Sequence, residues 1–393
     1  MAEYQKYHEA LRNYFTKDSI FTLEGIIGHG EYGLASKVSY KNPVSGEYRK
    51  FIVKQTYRNE DLDTLAAERH WLQQLAHAPH IVSMVSIPNN PLITPPERGT
   101  PPNEGASSGN RRQNRDPPIE QRTILLEWIA HGELGDFLKR AARHPKPIPN
   151  RLLWRFFGCF LRMVVAMAYP PSPPPAGQAT QSEEITYDAN GQVATPSMLR
   201  HTDMHDGNIL LSDPPSDVEH DFAPMLKLID FGLAEDTLPN ILESPDPNPQ
   251  FGVHCNMFDA GILMCCLILK YEWSRYPGHG DLLSTIEIPG SGPPPVKTYA
   301  QPLYALQFQS DPCPNVDPDI KRLVSICMAV KPTDRPKIEV VLGQVMDYIQ
   351  KRDAAYYNNA AEEKDDYIRN LWTTALFNPP SPASSEDSNQ TWG

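Results

Sequence analysis

Hydrophobic and polar positions alternate along the chain between Phe21 and Tyr57, in short runs separated by turn residues. Such alternation is typical of β-strands that bury one face and expose the other. The turn-rich stretch KNPVSGE separates two of these runs. The pattern therefore predicts an antiparallel meander of strands in the first part of the chain.

Further along, apolar residues recur at spacings of three and four, which is the period of an amphipathic helix. Leucines follow this spacing across residues 61–76, where a helix is predicted. Three more helices are predicted from longer apolar patterns, over residues 151–169, 257–271 and 337–350. A β-rich first part followed by a helix-rich second part predicts an α+β protein in two lobes.

Proline interrupts this order unevenly, since 27 of the 40 prolines fall within residues 88–118, 170–196 and 239–318. The first two stretches also collect Gly, Ser, Asn and Gln, so they are expected to be disordered or irregular loops rather than packed structure. The polar tail NPPSPASSEDSNQTWG has the same character. Such loops are candidate docking sites for protein partners, although proline-rich segments more often serve as spacers.

Charge and cysteine content narrow the class of protein. A formal net charge of −12 over 393 residues argues against nucleic acid or an anionic membrane as the main partner. The six cysteines show no C-x-x-C spacing, as expected of buried thiols in a reducing compartment. The N-terminal residues lack the apolar core of a signal peptide, and the apolar run Ala260 to Leu269 is half as long as a membrane span requires. These features predict a soluble intracellular protein, cytoplasmic or nuclear.

Three glycines in the stretch IIGHGEYGLA, Gly28, Gly30 and Gly33, form a G-x-G-x-x-G pattern. A dinucleotide-binding fold would require a helix to begin at the last glycine, but the strand-like LASKVSY follows instead. The pattern therefore predicts a strand–loop–strand flap whose backbone N–H groups can approach phosphates, because no Cβ blocks them.

A buried ion pair is predicted from two positions downstream of this flap. Lys54 ends an apolar strand, and Glu68 falls inside the apolar stripe of the helix predicted over residues 61–76. A carboxylate that faces the core is costly unless it is paired. Lys54 is the natural partner, and the pair would hold its ammonium group toward a phosphate.

The stretch RHTDMHDGNILL gathers imidazole and carboxylate side chains within a few residues. Read alone, His201, Asp203 and His205 could bind a transition metal, because alternate residues of a strand share one face. The alternative is a phosphotransfer loop, since Asn208 here and Asp230 in LKLIDFGLAED offer the oxygen ligands that Mg²⁺ prefers. The upstream Lys–Glu pair favours the second interpretation.

Taken in order, these motifs resemble those of the eukaryotic protein kinases. The series is the glycine flap, Lys54, Glu68, LLEWIAHGEL, His201-x-Asp203-x-x-x-x-Asn208, Asp230-Phe231-Gly232, and KPTDRP with Arg335. The chain is also similar to divergent kinase-like proteins of filamentous fungi. The resemblance covers residues 18–352 and implies a kinase-like fold, with a β-rich N-lobe over 18–127 that carries one αC-type helix and a mostly helical C-lobe over 131–352. Pro-rich inserts would lie at 88–120, 170–196 and 276–318, and extensions at 1–17 and 353–393.

The resemblance also implies roles for individual residues. Lys54 would contact the α- and β-phosphates of ATP and pair with Glu68, while Asp203 would accept the proton of the substrate hydroxyl. Asn208 and Asp230 would bind Mg²⁺. The residues expected to contact the nucleotide are Gly28, Gly30, Tyr32 at the flap tip, Gly33, the roof residues Ala35 and Ile52, Lys54, the gatekeeper Leu126, Glu127 and Ile129 through their backbone groups, the ribose-facing Glu133, and Leu210 beneath the adenine.

One departure from the kinase pattern concerns regulation. Thr202 stands in place of the Arg that normally binds a phosphate on the activation loop. Between Asp230 and Asn256 the only hydroxyl groups are those of Thr237 and Ser244. Activity that does not require loop phosphorylation is therefore expected.

A second departure concerns the chemistry. His205 stands in place of a Lys that usually steadies the γ-phosphate, so it is expected to take part in catalysis. Imidazole is mostly neutral near pH 7 unless a carboxylate raises its pKa, and Asp206 is adjacent in the chain. Stabilisation of the transition state is therefore expected to be weaker or to depend on pH.

The leading hypothesis from the sequence is an ATP- and Mg²⁺-dependent protein kinase, directed to Ser or Thr of a protein substrate. A pseudokinase or scaffold is the first alternative, favoured by Thr202 and His205. A small-molecule phosphotransferase is the second, since HTDMHDGN also resembles the H-x-D-x-H-x-x-N loop of antibiotic and choline kinases. The complete glycine flap and KPTDRP favour the protein kinases over this last class.

Overall fold

The computed structural model describes residues 3–29, 33–88, 90–93, 118–174, 183–215, 217–236, 250–275, 285–291, 293–305 and 310–375. Within these ranges the helices are α1 Glu3–Phe15, α2 Leu62–Gln74, α3 Leu134–Arg143, α4 Asn150–Ala168, α5 Phe251–Leu269, α6 Pro318–Cys327, α7 Ile338–Lys351 and α8 Asp365–Asn370. The strands are β1 Phe21–His29, β2 Leu34–Lys41, β3 Tyr48–Gln55, β4 Thr123–Glu127, β5 Leu199–Arg200, β6 Ile209–Ser212, β7 Met225–Leu228, β8 Glu235–Asp236, β9 Ile286–Glu287 and β10 Lys297–Thr298. The protein is of mixed α+β class, as predicted.

Strands β1 to β4 form one antiparallel sheet in that order, which confirms the predicted meander. The two faces of the sheet differ because side chains alternate along each strand. Phe51 and Val53 of β3 pack into a small core on one face, whereas Ile52 belongs to the main core on the other. Lys54 shares that second face with Ile52, and we call it the cleft face.

Helix α1 covers the face of the sheet opposite the cleft face. Its Leu11 and Phe15 are fully buried and pack with apolar residues of the strands, including Phe21 and Phe51. The ring centroids of Phe15 and Phe21 are 5.6 Å apart. The N-terminal extension expected from the sequence is therefore part of a hydrophobic core over residues 3–15.

Helix α2 lies beside the cleft face and carries Glu68. Its bounds fall inside the predicted range of residues 61–76. Leu65, Glu68 and Leu72 are its buried residues, at the three- and four-residue spacing of one helix face. The carboxylate of Glu68 therefore faces inward, as the sequence predicted.

Helix α4 is the centre of the helical part, since every one of its residues is buried. Helices α5 and α7 pack against it, and together with the cleft face of the sheet they form one continuous hydrophobic core. The bounds of α4 and α7 agree with the predicted ranges to within one residue. Helix α5 begins at Phe251, six residues before its predicted start.

The length and composition of α5 would also allow it to cross a membrane. However, 78% of the apolar window is buried inside the fold. The apolar run over residues 260–269 that the sequence analysis singled out is only the second half of this helix. A buried core helix passes the same test, so α5 is consistent with a soluble protein.

Part of the second Pro-rich stretch is packed, in contrast to the expectation of an unpacked loop. Glu183 is fully buried, and its carboxylate accepts a hydrogen bond from the backbone N–H of His80 at 2.7 Å. A single buried carboxylate can hold an irregular loop in place, and composition does not reveal it. Residues 94–117, 175–182 and 276–284 of the expected inserts lie outside the described residues.

Candidate functional site

A pocket opens between the cleft face of the sheet, helix α2 and the loops that adjoin β6 and β7. Lys54, Glu68, Asp203 and Asp230 all line it. Lys54 and Asp230, which are 176 positions apart in the chain, are in direct contact. The fold thus brings together the charged residues that the sequence motifs singled out.

The ammonium group of Lys54 lies between two carboxylates. Its Nζ atom is 2.8 Å from Oε2 of Glu68 and 2.7 Å from Oδ1 of Asp230. Burial alone would lower the pKa of Lys54, but the charges of the two carboxylates outweigh burial and raise that pKa. Lys54 is therefore a permanent cation that is held on two sides. Its contact with Glu68 was predicted from the sequence, and its contact with Asp230 was not.

The two carboxylates differ in the balance between burial and charge. Burial raises the pKa of Glu68, whose Oε1 atom has no hydrogen-bond partner among the described residues. Burial would also raise the pKa of Asp230, yet the ammonium of Lys54 outweighs it and holds that pKa below its ordinary value. Asp230 is therefore ionised at neutral pH, as an oxygen ligand for a divalent cation must be.

The backbone aims the carboxylate of Asp230 into the pocket. Asp230 has a left-handed conformation, with φ 63° and ψ 73°, which Asp tolerates better than most residues. The next residue, Phe231, is fully buried, and its ring meets the ring of His201 edge-on with centroids 4.7 Å apart. The Phe ring anchors the turn in the core while the Asp side chain stays in the pocket.

His201 is a packed structural residue. Its ring is fully buried, and Nε2 donates to the carbonyl of Ile229 at 2.9 Å. Burial lowers the pKa of His201 to about 4, so the ring is neutral. Its backbone N–H donates to the amide oxygen of Asn256 at 3.2 Å. Among the described residues, the side chains around His201 and His205 are not a group whose metal-ligand atoms all lie within 4.8 Å of one another.

Asn208 orients Asp203. The amide Nδ2 of Asn208 donates to the backbone carbonyl of Asp203 at 2.9 Å and to its Oδ2 at 3.0 Å. Because the amide nitrogen is used in this way, the amide oxygen of Asn208 remains for a cation. Together with the ionised carboxylate of Asp230, this oxygen fits the donor chemistry of Mg²⁺. The side chain of Asp203 is 43% exposed, so a substrate can reach it.

His205 lies between two carboxylates and one backbone donor. Its Nδ1 accepts a hydrogen bond from the N–H of Gly207 at 3.0 Å and is 3.8 Å from Oδ1 of Asp206. Its Nε2 is 3.6 Å from Oδ2 of Asp203. Nδ1 cannot accept from Gly207 and donate to Asp206 at once, so the contact at 3.0 Å describes the neutral ring. The carboxylates of Asp206 and Asp203 raise the pKa of His205.

Thr202 joins the loop before β6 to the segment after Asp230. Its φ of 61° is unusual for a β-branched residue, and its hydroxyl donates to the carbonyl of Leu233 at 2.6 Å. The indole of Trp71 in α2 donates to the carbonyl of Ala234 at 3.0 Å. Strand β8 then pairs with β5. The segment is fixed as far as Asp236, whereas Thr237 and Ser244 lie outside the described residues.

The residues expected to contact the nucleotide surround the cleft face. Five of them belong to the main hydrophobic core or pack against it: Ala35, Ile52, Leu126, Ile129 and Leu210. Glu133 forms an isolated β-bridge with Leu210, and burial raises the pKa of its carboxyl group. A largely apolar surface with one acidic group at its edge results.

Glu127 is tied into the fold through its N–H group and its carboxylate. Its N–H donates to the carbonyl of Ser83 at 3.0 Å, and its Oε1 accepts from Nζ of Lys227 at 2.7 Å. The N–H of Ile129, by contrast, has no backbone partner among the described residues. The backbone groups of Glu127 and Ile129 were predicted to meet the adenine edge; of their N–H groups, that of Ile129 remains available. The sequence feature that could have revealed this ion pair is the position of Lys227 inside the apolar strand MLKL.

Two glycines of the flap differ in whether their surroundings would allow a side chain. A Cβ atom at Gly33 would lie 2.2 Å from the carbonyl oxygen of Gln55, so the approach of two strands requires glycine there. A Cβ atom at Gly28 would meet nothing within 4 Å, which leaves its surroundings open. Gly30 and Tyr32 lie outside the described residues.

Comparison with known protein families does not indicate a function for this chain. No protein-family model matches the chain, and no curated protein matches it. The functional conclusion therefore depends on the geometry of the cleft, in which a fixed cation lies beside an oriented aspartate, an ionised aspartate and an amide oxygen.

Proposed function

We propose that this protein is a protein kinase of two-lobed architecture that transfers the γ-phosphate of ATP to a hydroxyl group of a protein substrate. The position of Lys54 carries the proposal. Its ammonium group is held by Glu68 at 2.8 Å and Asp230 at 2.7 Å, in the pocket that also contains Asp203. A cation fixed in this way can hold the phosphates of ATP in one orientation, which is the main requirement for phosphoryl transfer.

The chemistry would be divided among the side chains of the cleft. Lys54 would bind the α- and β-phosphates. Asp203 would take the proton of the substrate hydroxyl. At the same time the hydroxyl oxygen would bond to the γ-phosphorus, and the bond between that phosphorus and the leaving oxygen of ADP would break. Asn208 and Asp230 would hold Mg²⁺, which neutralises negative charge on the phosphates when bound. The hydrogen bonds from Asn208 keep the carboxylate of Asp203 aimed at the hydroxyl.

The adenine would lie against the cleft face of the sheet. The apolar side chains of Ile52, Leu126 and Leu210 line this region, and the N–H of Ile129 is available for the adenine edge. Glu133 at the edge of this surface is a hydrogen-bond acceptor for a ribose hydroxyl. An apolar slot with few polar groups is typical of a small-molecule site.

Activity without phosphorylation of the activation loop is part of the proposal. The segment after Asp230 is already tied to the loop before β6 through Thr202 and to α2 through Trp71. Strands β5 and β8 add backbone pairing as far as Asp236. These neutral contacts can do the ordering that a phosphate and an Arg provide elsewhere.

A pseudokinase is the second candidate, and the surroundings of His205 favour it. A neutral imidazole that accepts from Gly207 gives less positive charge near the γ-phosphate than a Lys would. Such a protein would bind nucleotide or partners without transferring phosphate. Either function would be performed in the cytoplasm or nucleus, which the free state of all six cysteines supports.

Nucleotide binding is tested first by thermal unfolding of the full chain with and without Mg-ATP. A ligand at about 100 times its Kd stabilises the folded state by about 2.7 kcal/mol. We expect a rise in Tm for the wild type and for Asp347→Asn, a partly exposed position on α7 outside the cleft, and a smaller rise for Asp230→Asn. No rise for the wild type would contradict the kinase and would leave only a pseudokinase that binds partners without nucleotide.

Transfer is then tested with γ-labelled ATP and generic protein substrates. Label on protein from the wild type and Asp347→Asn, and none from Asp230→Asn, is the expected result. Binding without transfer would leave the pseudokinase as the function. Label on aminoglycosides or choline, but on no protein, would show a small-molecule phosphotransferase instead.

A further inference from the structure

Three residues behind the cleft form a buried group that the proposed function does not use. His80 follows α2, Cys159 lies in the middle of α4, and His220 lies in the loop before β7. Their exposed fractions are 2%, 1% and 2%. Each of the three offers one potential metal-ligand atom, and these atoms all lie within 4.8 Å of one another.

The distances within this group match a tetrahedral metal centre. Nε2 of His80 is 3.4 Å from Nε2 of His220, which is 3.3 Å from Sγ of Cys159. Zinc bonds of about 2.0–2.1 Å to nitrogen and about 2.3 Å to sulfur would place two nitrogens about 3.3 Å apart and nitrogen and sulfur about 3.6 Å apart. The cluster is therefore already close to the size that an ion would require.

Carboxylates fix the orientation of both rings. Oε2 of Glu183 lies 2.8 Å from Nδ1 of His80, and Oδ1 of Asp217 lies 2.8 Å from Nδ1 of His220. An ionised carboxylate only accepts hydrogen bonds, so each Nδ1 must carry the proton. The Nε2 atom of each ring therefore faces the centre of the cluster, where a metal ion can replace any proton that it carries. Carboxylate–histidine pairs of this kind are the usual outer partners of metal-bound imidazole.

Two imidazole nitrogens and the sulfur of Cys159 converge in a buried space. A metal ion bound there would take the place of the protons that these groups share without it, because metal binding releases protons from its ligands. Two imidazoles and a thiolate are the ligand types that zinc binds in proteins.

We propose that His80, Cys159 and His220 bind one zinc ion, with Glu183 and Asp217 as positioning residues and a water molecule at the remaining position. The ion would join the end of α2, the core helix α4 and the loop before β7. The backbone of His80 already pairs with β7, since its carbonyl accepts from Leu228 N–H at 2.8 Å. Two residues later the same strand leads to Asp230, so the ion would brace the back of the cleft. This proposal does not depend on the kinase proposal.

Metal content of the full chain is the direct test. The protein is purified without chelators and its zinc is measured by mass spectrometry, for the wild type, Cys159→Ala, His220→Ala and Cys327→Ala. Cys327 is an equally buried cysteine outside the cluster. We expect about one zinc per chain in the wild type and in Cys327→Ala, and at least a tenfold loss in the two ligand variants. Zinc that persists in Cys159→Ala would overturn the proposal.

Cobalt substitution in the wild type keeps the test independent of whether the variants fold. After zinc is removed by a chelator, Co²⁺ is expected to give a thiolate-to-cobalt absorption band and tetrahedral d–d bands, which added zinc abolishes. Glu183→Gln is expected to weaken metal affinity by about 10–100-fold without loss of the band. A wild-type chain that purifies without zinc and shows no thiolate band with Co²⁺ would overturn the proposal.

Discussion

The cleft around Lys54 and the buried cluster around Cys159 are built in opposite ways, although both unite residues from distant parts of the chain. In the cleft, the side chains of Asp203 and Asp230 are 43% and 42% exposed, and ligands can reach them. In the cluster, none of the three central residues is more than 2% exposed, and neighbouring carboxylates fix the rings. We infer from this difference that the cleft is suited to chemistry and the cluster to stability.

This contrast can be broken by variants that act on one region only. A change in the cleft should alter activity at nearly constant free energy of unfolding. A change in the cluster should alter the free energy of unfolding at nearly constant activity per folded molecule. A variant that moves both quantities together would show that the two regions are not separable.

The largest effect is expected for Asp203→Asn. The amide cannot take the proton of the substrate hydroxyl, so kcat should fall by about 10²–10⁴-fold. The free energy of unfolding should change by less than about 1 kcal/mol, because Asp203 is partly exposed and an amide oxygen at this position can still accept from Asn208. Phosphate transfer and urea unfolding measure the two quantities. With Asp347→Asn as the control, equal activities would remove Asp203 from the mechanism.

Next in size is the loss of stability expected for Glu183→Ala. This change leaves the backbone N–H and the imidazole N–H of His80 without their acceptor in a buried place, at a cost of about 1–3 kcal/mol for each group. Urea unfolding should show a lower midpoint, while kcat per folded molecule stays the same. The neighbouring Glu184→Ala is the matched control, because Glu184 is exposed. Equal midpoints for the two variants would show that the loop is not held by Glu183.

The two regions also differ in how far the sequence predicts them. The contact between Lys54 and Glu68 was predictable because each residue breaks a local apolar pattern, and a charge inside such a pattern needs a partner. The proposed roles of Asn208 and Asp230 follow from motif order. Their geometry does not, because the contact of Asp230 with Lys54 depends on how β7 packs against the sheet.

The cluster was not predictable for a physical reason. Its ligands are single residues at positions 80, 159 and 220, with no spacing that marks a metal site. Glu183 comes from a Pro-rich stretch whose composition indicated an unpacked loop. The fold class and the bounds of α2, α4 and α7 follow from periodicity, whereas pairings between distant segments depend on tertiary packing.

A smaller effect, confined to the cleft, is expected for His205→Lys. The carboxylate of Asp206 and that of Asp203 raise the pKa of His205 above its ordinary value of 6.5. The ring is therefore charged below that raised pKa. The stabilisation that its positive charge would give the γ-phosphate is expected to be lost as the pH rises through the pKa. The stability that its ion pairs contribute is present below pH 6.5 and is lost in the same window.

Lysine at position 205 keeps its charge across this window. We expect the wild-type rate to fall by up to about tenfold on the alkaline side, and the rate of His205→Lys to stay level there. The kcat measured from pH 6 to pH 9 decides the matter, with His205→Gln as a variant that is neutral throughout. Parallel profiles for all three proteins would exclude His205 as the source of pH dependence.

The smallest effect is expected for Thr202→Val, which keeps the branched shape but removes the hydroxyl that donates to Leu233 at 2.6 Å. The free energy of unfolding should fall by about 1 kcal/mol, since Leu233 is 46% exposed and water can replace part of the lost hydrogen bond. Thr202→Ser keeps the hydroxyl and is the control. Hydrogen exchange of residues 231–236 should be faster in Thr202→Val than in Thr202→Ser. Equal exchange would mean that Trp71 and the pairing of β5 with β8 hold the segment without Thr202.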